Sequence, residues 1–251
     1  MCGRYAATLP PEMLVELFRL VNSIEMPPRY NITPTQPIAV VWQQNGRRTI
    51  QLVRWGFVPG WVKDPREFSL LINARSETMA EKPSFRTAVK NARCIVPASG
   101  YFEWMTGEDG KKQPYYITMA DDSPMLFAGL YSQWAGPNGE EVDTALIVTV
   151  GAVLEMATIH DRMPAILNGP AAVEDWLDTA EVGVKQAEQL MLPLPAELLK
   201  YHPVSKAVGS TKADGPDLIR PLSPEEMAEN ASSRPPRPRK QASGGGQGSL
   251  F

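Results

Sequence analysis

Sulfur and imidazole are scarce in this chain of 251 residues, which has two cysteines, Cys2 and Cys94, and two histidines, His160 and His202. So few cysteines build no disulfide framework, and they suit a reducing compartment. There is no close CxxC or HxxxH pair, so the usual zinc sites are excluded, and neither a metal nor another cofactor is expected. Long apolar runs are missing too. No stretch approaches the roughly 18 apolar residues of a membrane span. The opening MCGRYAATLPPEM has one positive charge and no apolar core, so it is not read as a secretion signal. A cytoplasmic, bacterial location is the expectation.

A basic excess is also lacking. The net charge is −3, from 25 basic and 28 acidic residues. Arg234, Arg237, Arg239 and Lys240 lie in the last 18 residues, which hold no acid; the other 233 residues hold 21 basic and 28 acidic residues, a net −7. Broad, nonspecific coating of nucleic acid needs many phosphate-neutralising cations, and this body does not supply them. A single focused basic cleft remains compatible.

Short strand-like runs are abundant. PIAVVWQQ, RTIQLVRWGF, LLINAR, RCIVPAS, YFEW, PYYITM, MLFAGLYSQW and TALIVTV are β-branched or aromatic and bounded by turn residues. QQNGRR carries an Asn-Gly hairpin signal. PPEMLVELFRLV places Met13, Leu14, Leu17, Phe18 and Val21 on one helical face, and GPAAVEDWL reads as a second helix opened by Pro170. No regular βαβ alternation is present. The reading is α+β: a curled, barrel-like, mainly antiparallel sheet with a few flanking helices, forming one domain over residues 1–222. Residues 223–251, rich in Pro, Ser, Gly and charge, are read as a disordered basic tail.

Several side chains are candidates for chemistry. In LLINAR, strand alternation puts Leu71, Asn73 and Arg75 on one face, an amide and a guanidinium in an otherwise apolar run. An edge strand turning toward solvent would look the same. In YFEW, Glu103 lies among aromatics that would raise its pKa and suit it to acid/base work, unless it is a rim carboxylate paired with an arginine. His160, in ATIHDRMPAIL, lies among polar residues beside Pro164. His202 and Cys94 are read as structural. Cys2 becomes the N-terminus once Met1 is removed, which would place an α-amine and a thiol on adjacent carbons.

The combination is more specific than its parts. MCGRY at 1–5, RYNITP at 29–34, WGFVPGW at 55–61, INARSET at 72–78, SGYFEW at 99–104, LIVTV at 146–150, IHDRMP at 159–164 and HPVS at 202–205 occur in one order. This set resembles the SOS response-associated peptidase (SRAP) family, from Cys2 to about Leu222. The resemblance implies binding of single-stranded DNA and covalent capture of abasic sites. It implies Cys2, Asn73, Glu103 and His160 as the catalytic group. Arg4, Arg75 and Arg162 are implied phosphate contacts, Trp61 and Trp104 base contacts, and Pro34 and Thr149 residues near the lesion. Where some relatives carry paired tryptophans, this chain has Trp61-Val62, so one stacking surface differs. Two other readings remain: a cysteine-type peptidase, at the least one that processes its own N-terminus ahead of Cys2, and a noncovalent reader of single-stranded DNA. The final QGSLF is similar to peptides that dock on the bacterial β sliding clamp, with Gln247, Leu250 and Phe251 as contacts. A monomer is expected.

Overall fold

The computed structural model describes residues 2–232; Met1 and residues 233–251, with Gln247, Leu250 and Phe251, lie outside the described residues. In chain order the strands are β1 (Tyr5–Ala7), β2 (Arg29–Ile32), β3 (Pro37–Gln44), β4 (Arg47–Trp55), β5 (Asn73–Arg75), β6 (Arg93–Ala98), β7 (Gly100–Thr106), β8 (Lys112–Met119), β9 (Met125–Ala135), β10 (Glu141–Gly151), β11 (Arg162–Pro164) and β12 (Leu199–Pro203). The helices are α1 (Pro11–Phe18), α2 (Arg86–Asn91), α3 (Leu154–Ala157), α4 (Pro170–Leu177), α5 (Val184–Gln189) and α6 (Pro224–Ser232).

One sheet closes on itself. Its strands run β10-β4-β3-β6-β9, and β9 pairs back to β10 over Glu141 to Ile147. The β3–β4 hairpin turns at Asn45-Gly46, both at positive φ (51° and 71°), as the Asn-Gly signal requires. Where β9 is squeezed between β6 and β10, Gly129 is needed for space: a Cβ there would lie 2.9 Å from Cys94 Sγ and 2.9 Å from the Leu146 carbonyl. A second sheet, ordered β12-β8-β7-β1-β2, packs against this barrel. Tyr5 from that sheet meets Trp55 and Phe127 of the barrel edge-to-face at 5.4 and 6.0 Å, so aromatic packing joins the two layers. The α+β, barrel-like fold is therefore as the sequence predicts.

Two expectations need correction. Of the five residues assigned to the buried face of α1, only Leu14 and Phe18 are buried; Met13, Leu17 and Val21 are exposed. The helix stops at Phe18, because Arg19 takes a left-handed conformation (φ 52°), and Val21 lies beyond it. The other correction concerns the unit from Leu222 onward, read as disordered from residue 223, whose first part is α6. A capping box starts this helix: Ser223 Oγ accepts from the Glu226 N–H at 3.2 Å, and the Glu226 carboxylate accepts from the Ser223 N–H at 2.7 Å.

Candidate active site

Strand β1 threads the N-terminus into the protein. Tyr5 pairs with Tyr101 of β7, and the Phe102 N–H donates to the Arg4 carbonyl at 3.0 Å. Continuing that antiparallel register brings Gly3 opposite Glu103, so Cys2 arrives beside the carboxylate. Both are buried, Cys2 completely. Burial pushes the Cys2 thiol well above its ordinary range, and the charge of nearby Glu103 adds to the rise. The Glu103 carboxyl is likewise raised by burial, opposed first by the positive charge of the chain's N-terminus and then by the proximity of the His160 ring. Cys2, Glu103 and His160 therefore share one electrostatic neighbourhood.

Strand β10 supplies the rest. Its first half pairs with β9 on one edge and β4 on the other; its second half pairs with β11 and β5. Asn73 lies in register with Ile147, and Thr149 has Arg75 on one side and Pro164 on the other. Asn73 Nδ2 donates to the Ile147 carbonyl at 3.3 Å, but its buried Oδ1 has no hydrogen-bond partner among the described residues. A buried acceptor left without a donor costs about 1–3 kcal/mol, and such an atom is suited to receive a donor from a bound molecule.

His160 precedes β11. Its Nδ1 accepts from the Arg162 N–H at 3.0 Å, which leaves the hydrogen of the neutral ring on Nε2. The Asp161 carboxylate lies 2.9 Å from the same Nδ1 and becomes its partner when the ring is doubly protonated.

The three arginines separate by environment. Arg75 is exposed at the rim. The Arg162 guanidinium is held by Glu77 at 2.6 and 3.0 Å and by the Thr149 carbonyl at 2.5 Å. Arg4 donates to Asn31 Oδ1 and to the carbonyls of Val208, Gly209 and Ser210, and its guanidinium lies 5.8 Å from the Trp104 ring. Its donors thus meet the protein's own acceptors. Trp104 packs with the cluster of Ala6, Phe102, Tyr116 and Val208, on the face of β7 opposite Glu103. Trp61 is 61% exposed and stands edge-on to Phe68, at the mouth of a cavity of about 440 Å³ that it shares with Phe57, Pro83, Thr87 and Tyr131. Cys2, Glu103 and His160 do not line that cavity. Pro34 opens a tight turn in which Thr35 holds φ 75° and donates to the Trp55 carbonyl at 2.7 Å. A β-branched residue at positive φ is strained, and the neighbouring contacts hold it there.

His202 contacts the Ile219 carbonyl through Nε2 at 2.9 Å, and Cys94 is buried in β6 with its thiol pushed up by desolvation. Both have structural surroundings. Two polar residues emerge that the sequence reading did not single out. Glu77 holds Arg162, and buried Asn31 donates to the Ser210 and Ala213 carbonyls at 2.9 and 2.8 Å. Both lie inside the quoted motifs INARSET and RYNITP, which was their only signal.

Comparison with known proteins gives a consistent result. Residues 1–211 match the family described as SOS response associated peptidase (SRAP). The chain is 34% identical over 222 residues to the abasic site processing protein YoqW of Bacillus subtilis, covering 87% of this chain and 99% of the relative. It is 35% identical over 230 residues to the abasic site processing protein YedK of Escherichia coli, covering 88% and 100%. To the abasic site processing protein HMCES of Xenopus tropicalis it is 33% identical over 263 residues, covering 87% and 78%. A crystal structure of a protein from Bacteroides thetaiotaomicron superposes with a TM-score of 0.78 at 25% identity, covering 88% of this chain and all of that one.

Proposed function

Because the chain belongs to the SOS response-associated peptidase family, we propose that it acts on abasic sites in DNA, capturing them in single strands through a covalent bond to Cys2. The observation that carries this reading is the burial of Cys2 against a carboxyl, Glu103, that burial keeps protonated to higher pH than usual. Removal of Met1 frees the α-amine. With a reference pKa of about 7.7–8.0, roughly a tenth to a fifth of it is unprotonated near pH 7.

The ring-opened abasic sugar presents an aldehyde at C1′. The Cys2 amine adds to that carbon, and the resulting carbinolamine loses water to give an imine. Glu103 donates a proton to the departing hydroxyl and afterwards takes one back. The Cys2 sulfur then bonds to the imine carbon while the thiol proton passes to nitrogen, closing a five-membered thiazolidine. A raised thiol pKa suits this order: the amine attacks first, and sulfur acts within the same molecule, where proximity replaces thiolate character. His160, with hydrogen on Nε2, donates to the sugar ring oxygen during ring opening. Asn73 Oδ1 accepts from the amine. Exposed Arg75 meets a flanking phosphate, and Trp61 offers an aromatic face for a base, a contact worth about 1–3 kcal/mol.

The peptidase of the family's description is read here as the step that frees Cys2 from Met1. The imine is also the species from which β-elimination would cleave the strand, so a lyase activity belongs to the same reading. The work is assigned to a monomer in the cytoplasm, which the two free, buried thiols support. We further propose that QGSLF docks on the β sliding clamp; a peptide of the last 18 residues should bind the purified clamp, and failure to bind removes this partner.

The deciding experiment is a denaturing gel of protein incubated with single-stranded DNA holding one abasic site. The parent should give a heat-stable shifted band. Cys2→Ala should give none, and Cys2→Ser at most a weak, labile one. No band from a parent whose first residue is verified as Cys2 by mass spectrometry refutes the covalent reading. A peptidase or a noncovalent reader would then be the alternative, and retained DNA affinity in Cys2→Ser would favour the reader.

A further inference from the structure

We propose that Glu77 is a positioning residue which, through Arg162, keeps the hydrogen of neutral His160 on Nε2. The proposal deepens the cross-linking reading and rests on it. His160 Nδ1 has two competing neighbours: the Arg162 N–H at 3.0 Å and the Asp161 carboxylate at 2.9 Å. They demand opposite things. The N–H needs a lone pair on Nδ1, whereas the carboxylate needs a hydrogen there. In the neutral ring only one can be satisfied, and the choice sets whether Nε2 is a donor or an acceptor. A donor at Nε2 is what sugar ring opening requires.

The position of the Arg162 backbone decides the contest, and Glu77 anchors Arg162. Arg162 opens β11 and Glu77 lies two residues past β5, strands on opposite edges of β10, and the ion pair spans Thr149 between them. The carboxylate grips both terminal nitrogens of the guanidinium at 2.6 and 3.0 Å. This two-point geometry fixes orientation as well as distance. The Arg162 side chain is only 11% exposed, so removing the carboxylate leaves a nearly buried cation without its counter-ion, held by Thr149 alone. The guanidinium would then turn toward water and draw the first residue of β11 with it. That movement lengthens the contact from the Arg162 N–H to Nδ1. Asp161, next in sequence to the ring and 83% exposed, then captures a hydrogen on Nδ1, and Nε2 becomes an acceptor.

The test compares the full-length parent with Glu77→Gln, Glu77→Ala and Glu77→Ala/Asp161→Asn. Imidazole ¹⁵N NMR without DNA reads the tautomer directly. His202 provides an internal reference, because its Nε2 must donate to the Ile219 carbonyl. The parent should show His160 as Nε2–H. Glu77→Ala should shift it toward Nδ1–H, adding Asp161→Asn should reverse the shift, and Glu77→Gln, with one acceptor left, should fall between. Single-turnover cross-linking should slow about 10- to 100-fold in Glu77→Ala, a partial loss of a general acid's usual 10²–10⁴. Affinity for an intact single strand should not fall, because losing Glu77 uncovers a cation, so slower cross-linking cannot be put down to lost DNA binding. An unchanged His160 tautomer in both Glu77→Ala and Glu77→Gln overturns the proposal whatever the rates do. If circular dichroism finds Glu77→Ala unfolded, Glu77→Gln decides alone. A parent that fails to cross-link defeats the cross-linking reading, while the NMR arm still decides the tautomer.

Discussion

Glu103 shows how one side chain trades stability for chemistry. Burial raises its pKa, with the N-terminal charge and, after it, His160 opposing. Below the ordinary value of 4.5 the carboxyl is neutral in both the folded and unfolded chain. As pH rises past 4.5, the unfolded chain releases its proton first, while the folded protein still holds one. Stability from this group therefore falls between 4.5 and the raised folded value and then levels off. Glu103→Gln has no proton to lose. It should melt higher than the parent at pH 7–8, by about 2–4 °C for each kcal/mol gained. The gap should shrink toward zero as pH falls through and below 4.5, where both the folded and the unfolded carboxyl become protonated. The same variant should cross-link about 10²–10⁴-fold more slowly. Thermal melts across that pH range check the first part. A gap that persisted in acid would show that packing, not ionisation, is responsible.

At the scale of elements, Arg93 ties helix to barrel. It is buried in β6 and donates to the carbonyls of Trp176, Asp178, Val182 and Val89 at 2.6 to 3.1 Å. Two of these acceptors lie at the C-terminal end of α4, where helix carbonyls lack internal partners and a cation is favoured. Lysine retains the charge but not the fork, so several buried carbonyls would lose donors. Arg93→Lys should cost roughly 3 kcal/mol or more, measurable by urea unfolding, while Arg75→Lys at the rim should cost little. Elements of this kind were unevenly legible in the sequence. The long β-branched runs of β3, β4, β9 and β10 announce themselves by composition, as does the Asn45-Gly46 turn. Strands β1 and β11 do not, because three residues carry no period and their stability comes from partners already in place. At the site, Cys2, Asn73, Glu103 and His160 stand out by residue type and by family resemblance. Glu77 and Asn31 do not, since their meaning lies in partners 85 and 177 to 182 positions away. A polar side chain whose partner is remote looks like any surface residue until the fold closes.

The charge of the whole molecule bears on how it would hold DNA before reacting. Cations are outnumbered by acids across the chain, and the net charge is −3. At the site, Arg162 is covered by Glu77 and Arg4 faces backbone carbonyls, which leaves Arg75 as the exposed guanidinium of the three. Arg75 is thus the one of these three placed to meet a phosphate, and noncovalent affinity must also draw on shape, stacking and whatever cations elsewhere in the chain, residues 233–251 included, supply. Those residues carry all four cations of the basic tail. Each phosphate neutralised on a single strand contributes about −0.7 to the slope of log K against log salt. Deleting residues 233–251 should thus flatten the slope by up to about 3, close to four times that increment. Fluorescence anisotropy with an intact oligonucleotide, titrated over about 50–200 mM salt, measures it. At saturating DNA the truncated protein should cross-link as fast as the parent, because Cys2, Glu103, His160, Asn73 and Glu77 all lie in the unit ending at Pro221. Equal slopes for the two proteins would mean that the tail takes no part in holding the strand. The acidic body would then have to carry its affinity through stacking and fit at the cleft.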